Sequence, residues 1–210
     1  MDQNVILVET VPLEFDLESL GCRLRIRPGQ TKFMDRLSRL AEEAVRVARP
    51  KAVARLCGLT ILDEENVQVG EVTFSSPLLR QKMDGLGRAF PYLASEGTEL
   101  ADWSLSLSSS LEQVFASALR EVAVQQAENL LERTLLERYG IAQVSAMNPG
   151  SLKVWSLEEQ VPLFELLAPL PEKLGVTLLP SLMMRPEYSV SGVFFQTDSK
   201  FYNCPSFNVR

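Results

Sequence analysis

A long helical repeat in the middle of the chain constrains the fold more than any other feature. Between about residues 111 and 138, Val114, Phe115, Ala118, Val122, Ala127, Leu130, Leu131 and Leu135 recur at helical spacing, and Gly140 follows as a stop. An apolar face that broad needs other elements laid against it. The strand signals cluster instead of alternating with helices. Residues 53–62 and 67–74 are rich in strand formers and are separated by the acidic turn Asp63-Glu64-Glu65-Asn66, the pattern of a hairpin. Shorter strands are expected at 5–10, 90–93 and 141–146, with a last one at 189–196. No regular βαβ series emerges. The expected fold is α+β, an antiparallel sheet with helices packed on it, and 210 residues suit one domain or two small ones.

Local punctuation marks the remaining helices. Pro28-Gly29 is a turn and Thr31 a candidate N-cap for a helix carrying Phe33, Leu37, Leu40, Ala41, Ala44 and Val45, with Pro50 marking its end. Ser76-Pro77 pairs an N-cap with a proline at the first helical position, and Gly85 stops that helix. Ser156 and Glu159 have the spacing of a capping box opening a helix through Leu167, in which Pro162 should kink the helix or delay its start.

Composition narrows the chemistry. The chain has 210 residues, 46% hydrophobic and 23% charged, the balance of a globular protein. A net charge of −6 speaks against nucleic acid, which needs a positive field, and against an anionic membrane surface. No segment approaches the roughly 20 apolar residues of a membrane span. Met1-Asp2-Gln3-Asn4 lacks a basic stretch and the apolar run 5–8 is too short for a signal peptide, so a cytoplasmic location is expected. Cys22, Cys57 and Cys204 lie far apart, which supports neither a disulfide framework nor a zinc knuckle. Histidine is absent, which removes Ser-His-Asp and Cys-His catalysis and the common His-containing metal sites. No residue stands out as catalytic or metal-ligating.

Standard phosphate motifs are missing. Gly85-Leu86-Gly87 follows a helix instead of a strand, and the carboxylate pairs Glu42-Glu43, Asp63-Glu64-Glu65 and Glu158-Glu159 suit solvated turns and helix faces. Two segments are better candidates. Ala146-Met147-Asn148-Pro149-Gly150-Ser151 lies between an expected strand and a capped helix, where a tight Pro-Gly turn can expose backbone groups to a ligand, or where a plain strand-to-helix connection would also sit. In the 185–202 segment, Ser189, Ser191 and the Gly192 backbone could meet something flat and close, or form the outer face of an edge strand. Phe201 and Tyr202 could stack on a ligand or close the core.

These residues carry a resemblance. The string SVSGVFFQTDSKFY, beginning at Ser189, is similar to the C-terminal signature of the reactivation domain of cobalamin-dependent methionine synthase. MNPGS followed by WSLEEQVPLFELL from Trp155 resembles that family's Pro-Gly loop and next helix. LLER at Leu130 resembles the helix preceding the loop, and the hairpin and GTEL from Gly97 fit the order of elements in stand-alone members. The resemblance implies one compact α+β domain over residues 1–210, a bent antiparallel sheet flanked by helices like the methionine synthase activation domain, that binds S-adenosylmethionine (AdoMet) in a surface groove and lies over the cobalamin of a partner, a corrinoid-binding methionine synthase or methyltransferase. There a flavodoxin-like donor supplies an electron, and AdoMet remethylates cobalt that has lapsed to cob(II)alamin. By the same resemblance Asn148, Pro149, Gly150 and Ser151 would meet AdoMet, Phe201 and Tyr202 would line its groove, and Ser189, Ser191 and Gly192 would face the corrinoid.

Three positions depart from the pattern. Ala146 stands where the family loop has an arginine, Ser151 where it has a tyrosine, and the acidic position of the long helix falls at Val124 or Gln125. Loss of one charge-assisted anchor costs about 1.5–3 kcal/mol. Two readings follow: an AdoMet-dependent reactivation module, or a docking or escort module for a corrinoid protein that has lost AdoMet. Both require the last strand and the Pro-Gly turn to meet in space.

Overall fold

The computed structural model describes residues 3–201. Its centre is a strand, β6 (Arg88–Ser95), whose two edges collect most of the other strands, every pair antiparallel. On one edge lie β2 (Lys51–Arg55) and β3 (Cys57–Ile61), in a single register: Ala54 faces Tyr92 and Cys57 faces Ala89. On this edge the ladder skips Phe90 and Pro91. A proline has no N–H to give a ladder, so a gap at Pro91 is the place where a central strand tolerates one. Beyond β2 lies β1 (Val5–Val8); beyond β3 lie β4 (Asn66–Val69) and β5 (Val72–Ser75). The other edge of β6 takes β10 (Ser189–Gln196), which in turn takes the short edge strand β7 (Val144–Met147).

The expected hairpin forms between β3 and β4, and the Asp63 carboxylate fixes its turn by accepting from the Glu65 and Asn66 N–H groups at 2.8 Å each. The second run, 67–74, is itself folded. Gly70, at φ +60, reverses the chain so that Val69 pairs with Val72. A two-residue turn inside a continuous apolar run leaves little compositional trace, which is why this corner was read as one strand. β8 (Thr177–Leu178) and β9 (Met184–Arg185) add a small separate ribbon.

Alternation along β6 buries both faces. Ala89 and Leu93 join a core completed by α3 (Pro77–Lys82), α6 (Gln160–Leu167) and α7 (Leu170–Leu174). Phe90, Tyr92 and Ala94 face α5 (Ser110–Tyr139), the expected long helix, 30 residues and about 45 Å by its rise. Gly140 ends it in the left-handed conformation. Val124, Ala127, Leu131 and Leu135 of α5 cover the sheet. Its other half carries Phe115, Ala118, Leu119 and Ala123 against α1 (Leu17–Arg23), α2 (Thr31–Val47) and α4 (Thr98–Ser106). The broad apolar face is therefore two contact faces in sequence.

Some expectations need correcting. Val114, assigned to the α5 apolar face, is 55% exposed, and Phe33 and Val45 at the flanks of the α2 stripe are 38% and 46% exposed. Thr31 is the first helical residue, not the cap; Gln30 holds that position without a side-chain bond. Ser76 does cap α3, accepting from the Leu79 N–H at 3.2 Å. The capping box at Ser156 does not form: its hydroxyl bonds the Glu158 carboxylate, residues 157–159 make a 3-10 turn, and α6 starts at Gln160, so that Pro162 falls in the first turn, where a missing N–H is harmless. No helix among the described residues is long and apolar enough to cross a membrane.

Candidate functional site

The last strand and the Pro-Gly turn meet. Because β7 pairs with β10 only from Val193 onward, β10 has a free edge at Ser191 and Gly192, and Asn148, the residue after β7, turns its side chain into that gap. Asn148 Nδ2 donates to the Ser191 carbonyl at 2.8 Å and to the Tyr92 hydroxyl at 2.7 Å. The Tyr92 hydroxyl in turn donates to Glu128 Oε1 at 2.6 Å. One chain of hydrogen bonds thus joins the turn, β10, β6 and α5. The Tyr92 ring is fixed from below by Phe194, stacked at 3.9 Å between centroids.

Gly192 is required by this arrangement. A Cβ there would lie 2.4 Å from the Met147 carbonyl oxygen and 2.6 Å from Asn148 Nδ2. The first obstacle is backbone and cannot swing away. Gly192→Ala is therefore expected to lower stability by about 1–3 kcal/mol and to push Asn148 off Tyr92. Urea denaturation, together with loss of the Asn148 side-chain amide resonances from their bound positions, would check it; unchanged spectra would contradict it.

Glu128 is the charged end of the network. Removal from water pushes its carboxyl from 4.5 up to about 7, against the pull of the Tyr92 hydroxyl, with Glu132 adding like-charge repulsion and Lys200 partly relieving it. Lys200 Nζ is bound to Glu132 at 2.6 Å. On this same side of α5 a groove of about 870 Å³ opens between residues 126–133 and the chain segment 11–16, with Glu132 and Lys200 on its rim. Phe15, Val11 and Leu130 give it apolar walls, and Glu14, Asp16 and Arg133 give it charge. The segment is pinned by Gln126, which accepts from the Glu14 N–H and donates to its carbonyl.

The residues marked from the sequence fall in different places. Asn148 is half-buried in the network just described. Pro149 is buried, while Gly150 and Ser151 are exposed. The turn's donors are used internally: the Gly150 N–H bonds the Trp155 carbonyl at 2.9 Å and the Ser151 N–H the Asn148 carbonyl at 3.2 Å. The strand alternation separates the next three. Gly192 faces Asn148 and α5, whereas Ser189 and Ser191 point to the opposite face. Ser189 bonds Ser95 Oγ at 3.0 Å, and Ser191 is 2% exposed. Phe201 also lies on that opposite face, under Lys82, with its N–H on Ser145 Oγ at 2.7 Å. Tyr202 and Cys204 lie outside the described residues.

Sequence reasoning missed three participants. Tyr92 was hidden inside an apolar strand. The carboxylate of α5 that joins this network is Glu128, one helical turn on from Val124, a core residue, and Gln125, the positions the resemblance sets against the family's acidic residue. Arg133 was seen only as part of a helix motif. An isolated carboxylate between Ala127 and Leu131 on a core-facing helix was the available signal.

No protein-family model matches the chain, and no characterised protein matches it in sequence. Among solved structures it superposes on the crystal structure of the MetH reactivation domain bound to AdoHcy, with a TM-score of 0.64 over 94% of this chain and 80% of that chain, at 17% sequence identity. At that identity the likeness is one of fold: α+β, with an antiparallel sheet flanked by helices.

Proposed function

We propose that this chain is a counterpart of the methionine synthase reactivation domain. It would bind a ligand of the AdoMet and AdoHcy class beside α5 and serve a partner that carries cobalamin. The observation that carries this reading is the groove beside α5, which sets Phe15, Val11 and Leu130 next to the carboxylates of Glu14 and Asp16. Behind it on α5, burial pushes the Glu128 carboxyl up to about 7, and a cationic ligand nearby would draw that titration back down. AdoMet is such a cation, with a sulfonium and an ammonium, and the fold neighbour was solved with its demethylated form, AdoHcy.

The residues present fit that ligand class. Phe15, Val11 and Leu130 offer apolar and aromatic surface to a nucleoside, and the carboxylates of Glu14 and Asp16 offer charge to the sulfonium or ammonium. When bound, AdoMet supplies an electrophilic methyl group. What the chain does is hold and orient it, with Tyr92 and Asn148 fixing Glu128 and so the part of α5 that backs the groove. The reacting cobalt belongs to the partner, and an electron from a flavodoxin-like donor would be needed for cob(II)alamin to accept a methyl group. The partner-facing surface is drawn by the exposed turn at Gly150 and Ser151, with Val154 and Leu157 exposed beside it, more than by the inward side chains of Ser189 and Ser191.

Titration calorimetry with AdoMet and AdoHcy is the direct test. The expected result is binding at micromolar to millimolar levels, tighter for the cationic AdoMet. An absence of heat with both ligands, with and without a corrinoid protein, would overturn the ligand assignment. In that case Ala146, where the family loop has its arginine, would favour the docking or escort role without AdoMet.

A further inference from the structure

The groove beside α5 has charges of both signs, and they are not equally committed. Asp16 caps α1, accepting from the Glu18 and Ser19 N–H groups. Lys200 and Glu132 hold each other at 2.6 Å. Glu14 is tied to Gln126 through its backbone, which leaves its carboxylate out of that contact. Arg133 is exposed on the groove wall, and no ion pair among the described residues engages it. The Pro-Gly turn has no cation at all, since residues 146–151 are Ala, Met, Asn, Pro, Gly and Ser.

A ligand with a carboxylate therefore meets one uncommitted guanidinium in this groove. The guanidinium fork matches a carboxylate with two parallel hydrogen bonds, which an ammonium cannot reproduce. We propose that the groove between segment 11–16 and α5 takes an amino-acid zwitterion, with Arg133 anchoring its carboxylate and the Glu14 carboxylate on the facing wall meeting its ammonium. This rests on the reading of the groove as the place of an AdoMet-class ligand and assigns the amino-acid end of that ligand to residues of the chain. The anchor then comes from the long helix and not from the turn.

The test compares AdoMet with its decarboxylated analogue, by calorimetric displacement, on the wild-type chain and on Arg133→Gln. The position is exposed, so the variant should melt close to the wild type. The expected result is that Arg133→Gln weakens AdoMet on the order of 10- to 100-fold while leaving the decarboxylated analogue within about twofold. The wild type should hold that analogue about as weakly as the variant holds AdoMet. Equal AdoMet affinity in wild type and variant would overturn the Arg133 assignment alone. Equal weakening of both ligands would also overturn it, since a carboxylate anchor cannot act on a ligand without one. If the wild type bound neither ligand, the groove reading itself would fall and the anchor with it.

Discussion

Glu128→Gln is expected to raise stability and lower affinity in the same protein. The sign follows from the carboxyl's titration at about 7 in the folded chain against 4.5 unfolded. A carboxyl whose folded value is raised favours the folded state only while it is protonated. Its contribution is fully present below about pH 4.5 and is lost as pH rises through about 7. The difference corresponds to about 3 kcal/mol, and Gln removes it while still accepting from the Tyr92 hydroxyl. Above about pH 8 the variant should therefore melt higher than the wild type, and the gap should close below about pH 4.5. Its affinity for AdoMet should drop by roughly 10-fold or more. A variant equal in melting temperature to the wild type at every pH would show that Glu128 is ordinarily solvated and would remove its charge from the argument for the site.

The same carboxyl gives binding a proton signature. A cationic ligand stabilises the ionised form and draws the titration back down, so binding near pH 7 should release part of a proton. Affinity should fall as pH drops through about 6, because the carboxyl is then protonated before the ligand arrives. A neutral thioether such as AdoHcy lacks the sulfonium and should show the weaker dependence. These features separate a ligand-awaiting charge from a structural one.

How much of this was legible in the sequence depends on distance along the chain. The strand at 189–196, the helix ended by Gly140 and the Ser76-Pro77 cap were read correctly because each is set by local spacing and by residues with one strong backbone preference. The inner turn at Gly70 and the full length of β6 across Pro91 were not, because pairing on the neighbouring strands decides them. The meeting of the Pro-Gly turn with the last strand was anticipated. The route by which Glu128 joins them was not: it runs through Tyr92, a residue whose ring belongs to the core and whose hydroxyl belongs to the site. Placing Glu128 required the rotation of α5 on the sheet, and an apolar surface that changes contact partners midway along the helix blurs that rotation by a turn. Phe201 illustrates the converse. Its sequence neighbour Lys200 reaches α5 while Phe201 passes to the other face of the edge strand, so adjacency in the chain did not mean adjacency in the groove.

The frame that sets this geometry should fail most sharply at Arg120. Its guanidinium makes two parallel bonds to Glu96, at 2.6 and 2.7 Å, at the end of β6, and stacks over the Tyr188 ring at 4.5 Å. Glu96, at 0% exposure, also accepts from the Tyr188 N–H at 3.3 Å, while its own N–H donates to the Tyr188 carbonyl. The pair therefore ties α5, the end of β6 and the entry to β10 together, two turns along the helix from Glu128. Arg120→Leu would strand a carboxylate out of water with a single backbone donor, and the expected loss is about 3–5 kcal/mol. Burial already pushes the Glu96 carboxyl up against the pull of Arg120. Without that pull it should protonate more readily, so the deficit should be smaller near pH 5 than near pH 8. Adding Glu96→Gln to Arg120→Leu should restore part of the lost stability by removing the unpaired charge, a coupling that urea denaturation of the two single variants and the double would read directly. Additive losses at both pH values would mean that the two side chains act independently, and that the register of α5 against the sheet is set by the apolar contacts alone.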